Sequence, residues 1–76
     1  MTAYDHELDT SGTSCPIPLL RVKKTLKSMS SGQTLRVTTT DPGSVNDFAA
    51  FARQSGHTLL ESVQENGRFL FLFKKN

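Results

Sequence analysis

Along the chain the apolar residues change spacing from alternate positions to every third or fourth and back, and those changes delimit the expected elements. Residues 6 to 9 predict a short strand, β1, ended by the turn-rich Thr10-Ser11-Gly12-Thr13-Ser14. From residue 16 to about 29, Leu19, Val22, Leu26 and Met29 recur at helical spacing while Arg21, Lys24 and Lys27 take the opposite side, which predicts helix α1. Ser30-Ser31-Gly32 stops it, Gly32 being suited to the left-handed position past a helix end. Residues 35 to 40 alternate and are rich in β-branched side chains, as a strand β2 broken by Asp41-Pro42-Gly43. Ser44 to Asp47 has the spacing of a capping box and opens helix α2, with an apolar stripe of Val45, Phe48, Ala49 and Ala52 and a stop at Gly56. Residues 58 to 65 and 68 to 74 predict strands β3 and β4, joined by Asn66-Gly67, a pair that tolerates the positive dihedrals of a tight type I′ hairpin.

The order βαβαββ predicts an α+β fold. A strand, helix and strand in succession normally form a right-handed crossover between parallel strands. The expectation is a two-layer α/β sandwich, a four-stranded mixed sheet with both helices on one face, the last hairpin antiparallel and the other face solvated. In β4, Phe69, Phe71 and Phe73 point to one side, and Arg68, Leu70, Leu72 and Lys74 to the other. The bracketing charges make the phenylalanines the core and leave Leu70 and Leu72 exposed, opposite Val63 and Glu61, as scattered surface leucines or a modest apolar patch.

Composition narrows the class. A chain of 76 residues has room for a single domain, residues 1 to 76, with 36% hydrophobic residues and five phenylalanines for a small core. No apolar run reaches the roughly 18 residues that span a bilayer, and the N-terminus shows no secretory pattern, so a cytoplasmic protein without membrane partners is expected. The net charge of +2 is far below the dense basic stripe of a dedicated nucleic-acid binder.

The single cysteine, Cys15, excludes an internal disulfide and a one-chain dithiol couple. It sits between the turn after β1 and the start of α1, followed by Pro16 and Pro18. Unpartnered N–H groups and the helix dipole at such a place stabilise a thiolate, the reactive form. The prolines suit a first helical turn, Pro16 at its first place, and hold Cys15 and Ile17 toward extended geometry, so that α1 becomes regular only after Pro18. Arg21, Lys23 and Lys24 add positive potential. The alternative is a small buried apolar residue. Neither His6 nor His57 is placed by the sequence as a base for a hydrolytic thiol, and the two histidines and Cys15 lack the spacing of a zinc site. No cofactor is expected. What a lone exposed thiol can do is exchange sulfur with a partner.

Leu8-Asp9-x-x-Gly12-x-x-Cys15-Pro16-x-Pro18, a Lys-rich helix, Gly32, a strand into Asp41-Pro42, Gly56-His57 and a closing Phe-x-Phe-Lys-Lys resemble the TusA/SirA family of small sulfur carriers. The resemblance implies the same βαβαββ sandwich and a persulfide on Cys15, with Pro16 and Pro18 completing the motif that orients it. It implies a carrier rather than a stand-alone enzyme, loaded by a cysteine desulfurase or rhodanese-type donor and unloaded to another sulfur-relay protein, in tRNA thiolation, cofactor assembly or sulfur oxidation. Asp9 and Asp41 match family positions at the carboxyl ends of the first two strands, where they either line the region beside Cys15 or cap turns. The family commonly has a leucine two residues before the cysteine, whereas here Thr13 and Ser14 occupy the approach, which predicts a more polar loop and bears on the choice of partner. A second reading is a small RNA-binding or regulatory module using Arg21, Lys23, Lys24 and Lys27 of α1. Direct nucleic-acid binding is not expected, because no stacking-aromatic or glycine-rich nucleic-acid motif accompanies these cations, which equally suit a solvated face or an acidic protein partner.

Overall fold

The computed structural model describes residues 4–13 and 16–76. Its elements run β1 (His6–Asp9), α1 (Ile17–Ser28), β2 (Thr34–Thr39), α2 (Ser44–Ser55), β3 (Thr58–Glu65) and β4 (Arg68–Lys74). The sheet order is β1-β2-β4-β3. β1 and β2 are parallel, with Asp9 opposite Thr38, and β4 is antiparallel to both its neighbours. The first three strands therefore share one direction, and β4 returns between β2 and β3. The two-layer βαβαββ arrangement expected from the sequence is what forms.

One face of the sheet and the inner stripes of both helices close the core. Val22 and Leu26 of α1, Leu35 and Val37 of β2, Phe48 of α2, and Phe71 and Phe73 of β4 are buried together, and Leu8, Leu19, Phe51, Leu59 and Phe69 pack around them. Phe48 meets Phe71 and Phe73 edge to face at 4.7 and 5.6 Å, geometries in which the positive ring edge faces the negative ring surface. The stripe of α2 is rotated from the one read in the sequence: Val45 is exposed, and Phe51 packs on the core beside Phe73 at 6.0 Å. The hairpin forms as read, with Asn66 at φ 50° and Gly67 at φ 77°.

Several local expectations are corrected. The capping box is not made: Gly43 occupies the N-cap of α2 without a side-chain bond, and Ser44 is helical and buried. Gly32 is left-handed but serves the turn into β2, closed by the Gln33 N–H on the Ser30 carbonyl at 3.1 Å, because α1 already ends at Met29. β3 bulges between Leu59 and Glu61, so Leu59 faces Phe73 on the core side and Leu60 projects outward. Most consequential is Leu72, which is fully buried on the outer face of the sheet, while Leu70 is half-buried. The sequence pattern alone predicts both as exposed. β4 is a central strand, so Leu72 is flanked on both sides, by Arg36 and by Glu61, residue types whose aliphatic stems can shield an apolar neighbour. Arg36 is itself held across that face, its guanidinium 5.4 Å from the Tyr4 ring centre and 3.4 Å from Glu7 Oε2.

His57 tethers the chain end to this frame. Its Nδ1 accepts the Asn76 N–H at 3.1 Å, which requires a ring with that nitrogen unprotonated. Burial, with the nearby Lys75 charge adding to it, lowers the His57 pKa below 6.5.

Two outcomes follow from these contacts. Leu72→Ala is expected to cost about 2–5 kcal/mol in urea unfolding and the exposed Val63→Ala within about 0.5 kcal/mol, with equal small losses contradicting the burial of Leu72. Because the folded pKa of His57 is depressed, the unfolded chain binds the proton first. The His57 contribution is therefore complete above pH 6.5 and is lost as pH falls below it toward the folded value. Calorimetric Tm between pH 7.5 and 5 should decline less steeply in His57→Gln than in wild type, and parallel slopes would show that His57 does not titrate in this way.

Candidate functional site

Because β1 and β2 run parallel, the loops that follow them leave the same edge of the sheet. Thr10, the first residue past β1, is fully buried. Both its N–H and its Oγ1 donate to the Thr38 carbonyl, each at 2.8 Å, which extends the strand pairing into the loop. Residues 10–13 then fold into a turn: the Thr13 N–H reaches the Thr10 carbonyl at 3.2 Å, and the Thr13 hydroxyl donates to the same oxygen at 2.6 Å. Gly12, the third residue of this turn, has φ 82°, a left-handed value that a side chain would make costly. Its N–H donates to Thr40 Oγ1 at 2.9 Å. The hydroxyl of Thr13 is thus engaged inside its own turn, and Ser14, the other residue of the expected polar approach, lies outside the described residues.

The other end of the segment is the start of α1. Pro16 is the N-cap, at φ −97° and ψ 12°, and makes no side-chain cap. Ile17 is already helical, and Pro18 is buried within the first turn. This corrects the expectation that Pro16 opens the helix and that Ile17 is extended: the Leu20 N–H bonds the Pro16 carbonyl at 3.1 Å, closing the first turn across both prolines. Pro18 removes an N–H that would have no partner inside the helix there, so the turn loses nothing by it. Ser14 and Cys15 lie outside the described residues, joined in the chain to Thr13 on one side and to Pro16 on the other.

Asp9 and Asp41 stand at the same edge, each facing its own turn. Asp9 Oδ1 accepts the Ser11 N–H at 2.9 Å. The hydroxyl and then the N–H of Ser11 hold the Asp9 carboxyl below its ordinary pKa against a slight opposing effect of burial, with Arg68 adding a smaller downward push. It is a carboxylate throughout the neutral range and has no proton to give. Asp41 Oδ1 accepts the Gly43 N–H at 3.1 Å, and its own N–H donates to Thr39 Oγ1 at 3.2 Å. Both carboxylates therefore make the side-chain turns that the sequence offered as one of two readings for them.

The cations of α1 divide. Arg21, Lys24 and Lys27 are exposed on its outer side, whereas Lys23 is set over the Phe51 ring of α2 at 5.8 Å. The helix carries no acidic residue, so the surface beyond the prolines is positive. Among the described residues no group of three His, Asp or Glu side chains is placed to hold a metal ion, and no helix is long and apolar enough to cross a membrane.

What sequence reading missed is the threonine scaffold. Thr38-Thr39-Thr40 was absorbed into β2 as β-branched residues, yet each serves a loop: the Thr38 carbonyl binds Thr10, Thr39 Oγ1 binds Asp41, and Thr40 Oγ1 binds Gly12. The adjacent hydroxyls of Thr39 and Thr40 at a strand end before Asp-Pro are the signal that could have revealed it.

Residues 6–75, which include the turn, the prolines and both carboxylates, match the family described as Sulfurtransferase TusA. The chain belongs to the TusA family. It is 60% identical over 76 residues to the sulfur carrier protein TusA of Allochromatium vinosum, with 100% of each chain covered. Its fold is similar to the crystal structure of a SirA-like protein from Desulfitobacterium hafniense, with a TM-score of 0.80 at 25% identity over 92% of this chain and 96% of that one. Members of the TusA family are sulfur carriers, and by this homology so is the present chain.

Proposed function

We propose that the protein carries sulfur as a persulfide on Cys15, between a donor enzyme and an acceptor protein of a sulfur relay. The observation that supports this most is that the only cysteine of a TusA-family chain stands directly before the N-cap Pro16 of α1, between two anchored points at the edge of the sheet. Loading is a displacement at sulfur. The Cys15 thiolate attacks the outer sulfur of a donor persulfide, a new S–S bond forms to Cys15, the donor S–S bond breaks, and the donor cysteine departs as a thiolate. The outer sulfur keeps its proton, and no external oxidant or reductant is consumed. Unloading repeats the exchange with an acceptor thiol as the attacking group.

A thiolate is favoured at the start of a helix, where backbone N–H groups point outward and the macrodipole is positive, and the exposed Arg21, Lys24 and Lys27 add to that potential. Donors in keeping with this chemistry are a cysteine desulfurase, which forms a persulfide from cysteine, or a rhodanese-type protein. Acceptors would lie in tRNA thiolation, cofactor assembly or sulfur oxidation. No feature of the described surface favours a nucleic-acid module on α1.

Incubation with a cysteine desulfurase and L-cysteine, followed by intact-mass measurement, should add one sulfur atom to the wild-type chain, removable by reductant, and none to Cys15→Ser. Sulfur uptake of equal extent in the two chains would reject Cys15 as the carrier.

A further inference from the structure

Thr40 stands just beyond the last β1–β2 pair, exposed, and its hydroxyl oxygen accepts the Gly12 N–H at 2.9 Å. Among the described residues, the other bonds from the 10–13 turn to β2 both end on the Thr38 carbonyl and hold only Thr10. The bonds of Thr13 return to Thr10 and close the turn on itself. The turn is thus anchored to β1 through the Ser11 N–H on Asp9 Oδ1 and to β2 through Thr10, and the Thr40 hydroxyl adds a tie from the end of β2 to Gly12, three positions before Cys15.

We propose that Thr40 is a positioning residue for the Cys15 thiol, acting through Gly12. The sulfur-transfer half of this proposal rests on the carrier reading above, while its effect on thiol reactivity does not. Between Gly12 and the N-cap Pro16 stand three residues, a tether that spans at most about 3.3–3.6 Å per residue. Fixing both ends limits where the sulfur can go. Displacement at sulfur needs the attacking, central and leaving sulfurs near a line, and small losses of such alignment carry large rate penalties. A thiolate held at a helix start is stabilised by the helix field, so on this proposal a looser tether at Gly12 weakens that effect on the residue that precedes the N-cap Pro16. Thr40 suits a test of positioning because it is exposed: water can hydrate Gly12 N–H when the hydroxyl is gone, so the fold survives while the tether is lost.

The experiment compares wild type, Thr40→Val, which keeps the shape without the acceptor, and Thr40→Ser, which keeps the acceptor. Amide exchange at Gly12 should quicken in Thr40→Val alone, with thermal unfolding near wild type in both variants. The pH midpoint of iodoacetamide alkylation at Cys15 should rise toward the free-thiol value near 8.5 in Thr40→Val and stay at the wild-type midpoint in Thr40→Ser. Loading by desulfurase and L-cysteine should slow about tenfold in Thr40→Val and recover in Thr40→Ser. An unchanged alkylation profile in Thr40→Val, or the same loss in Thr40→Ser, overturns the proposal. Wild type that alkylates normally yet takes no sulfur from the desulfurase removes the carrier reading instead, and the alkylation profiles alone then decide the role of Thr40.

Discussion

The carbonyl of Thr38 accepts two hydrogens from Thr10, and the edge of the molecule that bears the candidate site depends on that pair of hydrogen bonds. Thr10 is fully buried, so its hydroxyl would be costly to leave unpaired, and with it paired the loop after β1 leaves the sheet in one direction only. The turn at residues 10–13, the Gly12 tie to Thr40 and the approach to Pro16 all start from that point. Parallel pairing of β1 with β2 brings the two strand ends to one edge, and each loop is then capped by the aspartate at its start.

Beneath this edge the core keeps the frame rigid. β4 is the middle of the exchange between strands, burying Phe71 and Phe73 against Phe48 on one face and Leu72 on the other. α1 packs through Val22 and Leu26 and turns its cations outward, so the positive surface and the start of the helix belong to the same element. Positive potential and a helix N-terminus both favour an ionised thiol, and both belong to the segment that directly follows Cys15 in the chain.

Much of the fold could be read from spacing, because periodicity reports which face a side chain takes. It gave the bounds of β3 and β4, the Asn66-Gly67 turn and the phenylalanine core. It could not report what covers a face, since coverage depends on the neighbouring strands: Leu72 is buried between Arg36 and Glu61, which only the register brings beside it. Helix starts were misread by one position for a related reason. Ser44 looks like a cap in sequence, but Asp41 and Gly43 complete the turn first and Ser44 is drawn inside against Thr39 Oγ1 at 3.4 Å. Of the site, the cysteine and prolines were conspicuous by type, whereas Thr10 and Thr40 act through contacts about 28 residues apart that no local pattern encodes.

On the proposed function, Cys15 holds sulfur in the living cell. The direct measurement is the intact mass of the protein isolated from its own cells with its thiols trapped by alkylation at lysis, taken with and without prior reduction, and with the modified residue mapped by fragmentation. A population one sulfur atom heavier on Cys15, lost on reduction, is the result the account predicts. A chain that carries only the alkylating group on Cys15 under every growth condition, including active cysteine turnover, would contradict it.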